Sequence, residues 1–101
     1  AALLTASGRI FTGCNIENAS FPVGICAERV AMAKAISEGE KKFEKIAIYA
    51  NGPLPVPCGM CRQFMAEFNE NLIVIAANEE TEKSFLLKDL LPQAFRFSYP
   101  S

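Results

Sequence analysis

Four cysteines carry most of the chemistry open to this sequence: Cys14, Cys26, Cys58 and Cys61. Cys58 and Cys61 form a C-x-x-C pair, the commonest half of a zinc site and also the spacing of a thiol redox pair. Which of these applies turns on what else converges there. Pro57-Cys58 opens one segment of helical composition, with Cys61 one turn later, and Cys26 opens an earlier one, with Glu28 two residues on. A helix N-terminus carries positive partial charge and lowers the pKa of a thiol placed there. Three thiolates at two helix N-termini can hold Zn²⁺ tetrahedrally and leave one position open for a water, whose pKa the ion brings down toward ~7.

Glu28 then has a task. A carboxylate beside such a water, itself not a ligand, can take a proton and return it to a substrate. Without the cysteines, Glu28 reads as an acidic residue facing the positive end of its helix. Arg29 shares a helical stripe with Ile25, Met32 and Ile36, which predicts that it points to the core side. Three thiolates against a dication leave one net negative charge, which a guanidinium there would neutralise; the alternative is that Arg29 snorkels to the surface or pairs with a structural carboxylate. Cys14 keeps a different arrangement open, a structural Cys₄ zinc module used for protein interaction. Its place within the second predicted strand, at a spacing from Cys26 that is not that of a zinc knuckle, favours a small buried apolar residue instead. Redox use of Cys58-Gly59-Met60-Cys61 ranks last, because a proline-rich loop replaces the strand that usually precedes such a motif.

The elements that must position these groups follow from pattern. Ala1 to Ser7 and Arg9 to Ile16 form a hairpin about Ser7-Gly8, and Glu17 to Gly24 is a loop. Ile25 to about Glu38 is a helix stopped by Gly39. Phe43 to Ala50 is a strand, and Asn51 to Pro57, with its prolines, is loop. Gly59 to Asn69 is a second helix with Cys61, Phe64, Met65 and Phe68 on one face. Leu72 to Ala77 is a buried strand, Ser84 to Leu87 a last short one, and Lys88 to Phe95 a helical turn broken at Pro92. The order ββαβαβ(β) predicts an α/β fold with helices packed on a mixed sheet.

Composition narrows the partners. A chain of 101 residues makes one domain, 1–101, and 50% hydrophobic residues with a net charge of −1 exclude disorder. Ten basic residues against eleven acidic ones, a pI near 5.4 and no basic stripe speak against nucleic acid as partner. Leu72–Ala77 is the longest purely apolar run, far short of the ~20 residues of a membrane span. Without a charged-then-apolar leader, the expected location is cytoplasmic. Ala1-Ala2-Leu3-Leu4 reads as the inside of a strand with no initiator Met before it, and an upstream piece is expected.

Taken together, Cys26-Ala27-Glu28-Arg29 and Pro57-Cys58-Gly59-Met60-Cys61-Arg62-Gln63 resemble the zinc motifs of the homotetrameric cytidine deaminases. Gly13-Cys14-Asn15-Ile16-Glu17-Asn18, Ala35-Ile36-Ser37-Glu38-Gly39 and Leu90-Leu91-Pro92 with Ala94-Phe95 agree in order, so the similarity runs from about Ala1 to Phe97. The resemblance implies a three-layer fold with a mixed five-stranded sheet whose last two strands join by a short turn. It implies Zn²⁺ held by Cys26, Cys58 and Cys61, Glu28 as proton shuttle, and Arg29 as support for the thiolates. Asn15 and Glu17 would grip a ribose hydroxyl, Ala27 would lie against the substrate, and Phe95 would stack on the base of a neighbouring subunit's substrate. The implied reaction is hydrolytic deamination of cytidine or deoxycytidine, water attacking C4 and ammonia leaving, in a homotetramer with shared sites. Cys26 in place of the His of the polynucleotide-editing relatives, and a reversal too short for a helix after Leu72–Ala77, point to a free nucleoside. Blasticidin S deaminase shares the zinc motifs but lacks the Asn15–Asn18 loop. The family's helix before the first strand is not in this sequence, so one sheet face is expected to be partly bare.

Overall fold

A row of apolar side chains crosses the sheet: Phe11 opposite Leu3, Leu3 opposite Ile46, Ile46 opposite Val74, and Val74 opposite Phe85. The computed structural model describes residues 1–96, so Phe97, where the sequence resemblance ends, lies outside the described residues. The row belongs to β2 (Ile10–Thr12), β1 (Ala2–Thr5), β3 (Phe43–Tyr49), β4 (Ile73–Ala77) and β5 (Glu82–Leu86), in that spatial order. β3 and β4 pair in parallel and every other pair is antiparallel. The mixed five-stranded sheet and the tight reversal between its last two strands are therefore as expected.

Topology decides where the helices begin. Since β1 is antiparallel to both its neighbours, β2 and β3 run the same way, and β4 runs with them. Strands that run the same way need a crossover rather than a hairpin. α1 (Ala27–Ser37) makes the crossover from β2 to β3 and α2 (Gly59–Phe68) the one from β3 to β4. Both helices consequently start at the same end of the sheet, beyond the carboxyl ends of strands, where open α/β sheets bind ligands.

Both helices pack on the sheet face that bears the apolar row. Ala31, Met32 and Ala35 of α1 and Cys61, Met65 and Ala66 of α2 join it in one core cluster. Phe43 and Phe64 flank Phe68, with ring centroids 5.0 and 5.8 Å away. A short α3 (Leu87–Leu90) adds the buried Leu87 before the helical turn breaks ahead of Pro92. On the opposite face Ala2, Leu4, Ala47, Ile73 and Ile75 are half-buried and Tyr49 is 60% exposed. Of the three expected layers, the described residues contain the sheet and one helical layer, and the second face is partly bare, as anticipated. No helix among them is long and apolar enough to cross a membrane.

The second strand is shorter than the pattern predicts. It spans Ile10–Thr12 rather than reaching Ile16, and Gly13, the next residue, lies against α1. A Cβ at Gly13 would lie 2.6 Å from the Ala27 carbonyl oxygen and 2.7 Å from the Ala31 nitrogen. Two hydrogen bonds tie Gly13 to Ala1, 2.7 and 2.9 Å long. Cys14 is therefore not a buried strand residue, as expected from its sequence position; it stands beyond the strand and is exposed.

Replacing Gly13 by Ala forces the helix backbone to move, since both atoms it would meet are main chain. A loss of about 1–3 kcal/mol is expected, read as a lower urea midpoint. Gly59→Ala, where a Cβ meets nothing within 4 Å, is expected to hold or raise the midpoint. Equal losses at the two positions would show that the close approach of Gly13 to α1 carries no strain.

Candidate metal centre and adjoining cleft

Two helices that start at one sheet end bring their N-caps together. Cys26 caps α1 and Cys58 caps α2, each with extended backbone (φ −69°, ψ 151° and φ −69°, ψ 169°) and with no side-chain hydrogen bond to its own helix. Their sulfurs are 3.7 Å apart. Cys61, in the first turn of α2, completes a triad whose three sulfurs all lie within 4.8 Å of one another. A tetrahedral zinc ion with Zn–S bonds of about 2.3 Å separates its sulfurs by about 3.8 Å, the spacing of the Cys26–Cys58 pair, so the chemistry and approximate spacing of this donor set suit zinc. Cys14 lies outside the triad, so the described residues do not bring four cysteines together.

The thiols themselves favour a cation. Burial works against the Cys58 thiolate, but backbone N–H groups of Cys61 and Met60 and the neighbouring thiols outweigh it and lower the Cys58 pKa. Desolvation pushes the Cys61 thiol well above its usual range, helped by Cys58 and by the charges of Glu28 and Cys26. A buried thiol held protonated beside such neighbours becomes a thiolate when a metal ion displaces its proton.

Glu28, in the first turn of α1, is only 7% exposed and close enough to Cys61 for its charge to act on that thiol. Among the described residues no ion pair engages it. The buried stripe of α1 is Glu28, Ala31, Met32 and Ala35. Arg29, expected to point to the core side with Met32, stands half-buried beside that stripe with its Nε inside. Its Nη2 donates to the Gly24 carbonyl at 3.3 Å, and its buried Nε has no hydrogen-bond partner in the protein. Burial opposes the guanidinium charge, yet the sulfurs of Cys26 and Cys61 prevail and raise its pKa.

A cleft adjoins the triad. Ile16 and Ile25 exchange two backbone hydrogen bonds, 2.8 and 3.0 Å, which pinch off the loop between them and set its base beside Cys26. Asn15 and Glu17 flank Ile16, and the Asn15 Nδ2 donates to Glu17 Oε1 at 2.9 Å. These two line a cleft of about 230 Å³ with Phe21, Ile25 and Cys26. Ala27 is not among the residues lining it; half-buried, it sits between Cys26 and Glu28 at the start of α1. Phe95 is 70% exposed and is likewise not part of the cleft wall within one chain. Its carbonyl accepts a 2.9 Å hydrogen bond from Gln63 Nε2.

Two polar residues had no role assigned by sequence. Arg62 Nε donates to the Pro57 carbonyl at 2.7 Å and Nη1 to the Leu90 carbonyl at 2.8 Å. With Gln63, it ties the metal-bearing turn to the chain that follows α3. The available signal was weak: a cation and an amide directly after a ligand cysteine, on a helix half sunk in the core.

Comparison with known proteins places the chain in context. The family model described as "Cytidine and deoxycytidylate deaminase zinc-binding region" matches residues 1–77, a span that includes the cysteine triad and Glu28. A probable cytidine deaminase of Dictyostelium discoideum is 46% identical over 98 residues, 94% of this chain and 66% of the relative. The cytidine deaminase of Sporosarcina psychrophila is 46% identical over 99 residues, 94% of this chain and 72% of the relative. Among solved structures, cytidine deaminase from Burkholderia pseudomallei superposes with a TM-score of 0.89 at 39% identity, covering 93% of this chain and 78% of that one.

Metal analysis after dialysis is expected to give about one zinc per chain. Serine in place of Cys26, Cys58 or Cys61 is expected to weaken zinc binding by more than ~100-fold, as removal of a direct ligand exceeds the 10–100-fold cost of losing an outer partner. Cys14→Ser is expected to keep the metal. Loss of zinc in Cys14→Ser would instead point to a four-cysteine site.

Proposed function

The chain belongs to the cytidine deaminase family, and on that premise we propose that it catalyses zinc-dependent hydrolytic deamination of cytidine or deoxycytidine, giving uridine or deoxyuridine and ammonia. The observation that carries this reading is the triad of sulfurs with a buried carboxylate, Glu28, one helical turn or less from each helix start. A pure structural site would have no use for an unpaired carboxylate in the core next to its ligands, since burying one is costly.

Cys26, Cys58 and Cys61 would hold a zinc ion, which when bound would supply a water of lowered pKa to attack C4 of the base. Glu28 takes the proton from that water and delivers it to N3 of the ring. The carboxylate then takes the second proton, from the new C4 hydroxyl, and passes it to the departing amine, so that ammonia leaves and the C4 carbonyl of the uracil ring forms. Sequestration from bulk water keeps Glu28 on this shuttle rather than exchanging with solvent. Arg29 offsets the net negative charge of three thiolates around a dication, a role supported by the pull of the Cys26 and Cys61 sulfurs on its guanidinium.

Asn15 and Glu17 supply a donor and an acceptor at the cleft, which suits one sugar hydroxyl used as both acceptor and donor. That pair supports a nucleoside substrate over blasticidin S, and a net charge of −1 supports a free nucleoside over a polynucleotide. Ala27 brings its main chain to the substrate side. At about 230 Å³ the cleft falls short of the ~300–1,000 Å³ of small-molecule sites, so a further wall has to come from elsewhere. Phe95, together with the exposed Phe21 and Val23, supports a homotetramer in which Phe95 of one subunit covers the base bound by another. Residues 1–101 act as one catalytic domain, and the need for reduced thiols supports a cytoplasmic setting.

The absorbance of cytidine incubated with the zinc-loaded protein is expected to fall toward that of uridine. Glu28→Gln is expected to abolish turnover while retaining zinc; turnover unchanged in that variant removes Glu28 from the chemistry and the reading with it. Glu17→Ala is expected to raise KM about 10–100-fold, the worth of a hydrogen bond to a charged group, with the zinc content intact. A KM equal to that of the unmutated chain would take the loop out of substrate binding.

A further inference from the structure

The metal-bearing turn and the chain after α3 are held by two consecutive residues whose side chains do nothing else in the fold. Arg62 follows the ligand Cys61 directly. Its two donors reach in different directions, Nε to the carbonyl of Pro57, the residue before the ligand Cys58, and Nη1 to the carbonyl of Leu90 at the end of α3. Gln63 extends the reach by one more contact, its Nε2 donating to the carbonyl of Phe95. Pro57 is buried, Arg62 and Gln63 are half-buried, and Phe95 is 70% exposed. The segment from Leu91 to Arg96 forms no helix or strand, so it has no ladder of its own to fix it. Leu91 donates to the Leu87 carbonyl and packs with Ala94 on the core, but beyond Ala94 the other recorded contact is a surface ion pair, Arg96 with Glu70, both more than half exposed, and such pairs contribute little.

We propose that Arg62 and Gln63 are positioning residues that form a two-armed bracket, the Arg62 arm setting the turn that carries Cys58 and Cys61, and the Gln63 arm setting the backbone of Phe95. The second arm rests on the reading of Phe95 as the aromatic that covers a neighbour's base. The two arms differ in consequence. Arg62 holds a carbonyl within the ligand turn, so losing it loosens both the metal and the segment. Gln63 touches only the segment, so losing it leaves the metal alone. Guanidinium geometry matters at Arg62, because two donors in a rigid fork serve two carbonyls that a single ammonium cannot align with equally well.

The test compares Arg62→Lys, Gln63→Ala, Gln63→Lys and Phe95→Ala in the zinc-loaded protein. The measurements are KM and kcat for cytidine, zinc affinity by chelator competition, and amide exchange of residues 91–96. Gln63→Ala is expected to raise KM about fivefold, the effect of one neutral hydrogen bond, with kcat within about twofold, unchanged zinc affinity and faster exchange in 91–96. Gln63→Lys restores a donor and is expected to recover most of the KM. In Gln63→Ala/Phe95→Ala the KM is expected to match that of Phe95→Ala alone, since the two changes act on one element. Arg62→Lys, chosen because Arg62→Ala endangers folding, is expected to weaken zinc about tenfold and also to speed exchange in 91–96. If Phe95→Ala leaves KM unchanged, the reading of Phe95 fails, and with it the substrate role of the Gln63 arm. If Phe95→Ala raises KM but Gln63→Ala alters neither KM nor exchange, the reading of Phe95 stands and the Gln63 arm is overturned. Zinc affinity unchanged in a folded Arg62→Lys overturns the Arg62 arm.

Discussion

Two helices that begin side by side are the constraint on which this structure depends. Cysteine is a poor choice for an N-cap if the helix alone is considered, because it offers no oxygen to the free N–H groups of the first turn, and forgoing such a cap costs a helix about 1 kcal/mol. Both α1 and α2 accept that loss at the one place where their caps face each other, with sulfurs 3.7 Å apart. Thiolate–zinc binding in small domains is worth on the order of 10 kcal/mol, so a site of this type outweighs two weak caps several-fold. What makes the convergence possible is the direction of β2 and β3. Had β1 been parallel to either neighbour, the two helices would start at opposite ends of the sheet and no side-chain choice would bring Cys26 to Cys58.

Charge is distributed around that point in a graded way. Backbone N–H groups at the start of α2 favour the Cys58 thiolate, burial opposes the Cys61 thiolate, and Glu28 adds further negative charge in the core. The protein supplies one fixed cation against all of this, Arg29, whose buried Nε is left without a hydrogen bond of its own. A dication settles the imbalance among three sulfurs; the remaining negative charge falls to Arg29. Glu28 is left buried without an ion pair among the described residues, which is informative where its presence in sequence was not.

How much of this could be read from the chain depended on the range of the interaction. The helices were legible because cap, stripe and stop are local signals: Gly59–Phe68 and Ala27–Ser37 fall within a residue or two of the expected bounds. The zinc triad was legible because each cysteine sat at a helix start that composition marks. Cys14 was misplaced because the alternation of polar and apolar residues does not mark where β2 ends, and the contact of Gly13 with the backbone of α1 leaves no pattern along the strand. Arg29 stands half-buried with its Nε inside, on the side its stripe with Met32 indicates, whereas nothing in the pattern marked Glu28 as the more deeply buried of the two. Asn15 and Glu17 would have remained an ordinary polar loop without the family resemblance; the Ile16–Ile25 pairing that sets them beside Cys26 joins residues nine apart across a loop with one short 3-10 turn, Phe21–Val23. The roles of Arg62 and Gln63 are bonds to distant carbonyls, and a backbone carbonyl has no sequence.

The cleft and the bracket bear on a single physical problem. Deamination needs a dry, closed pocket around the base and yet must admit a polar nucleoside and release ammonia. A wall built entirely from one chain's rigid elements would close the pocket permanently. Here the triad comes from helix N-termini, which the core holds in place, and the cleft beside it from the loop pinched by Ile16 and Ile25, while the chain after α3 to Arg96 has neither helix nor strand. Segments of that kind fluctuate unless something specific restrains them. The hydrogen bonds that restrain the second start at residues adjoining Cys61, so the metal turn and the chain after α3 are tied to one short stretch of α2.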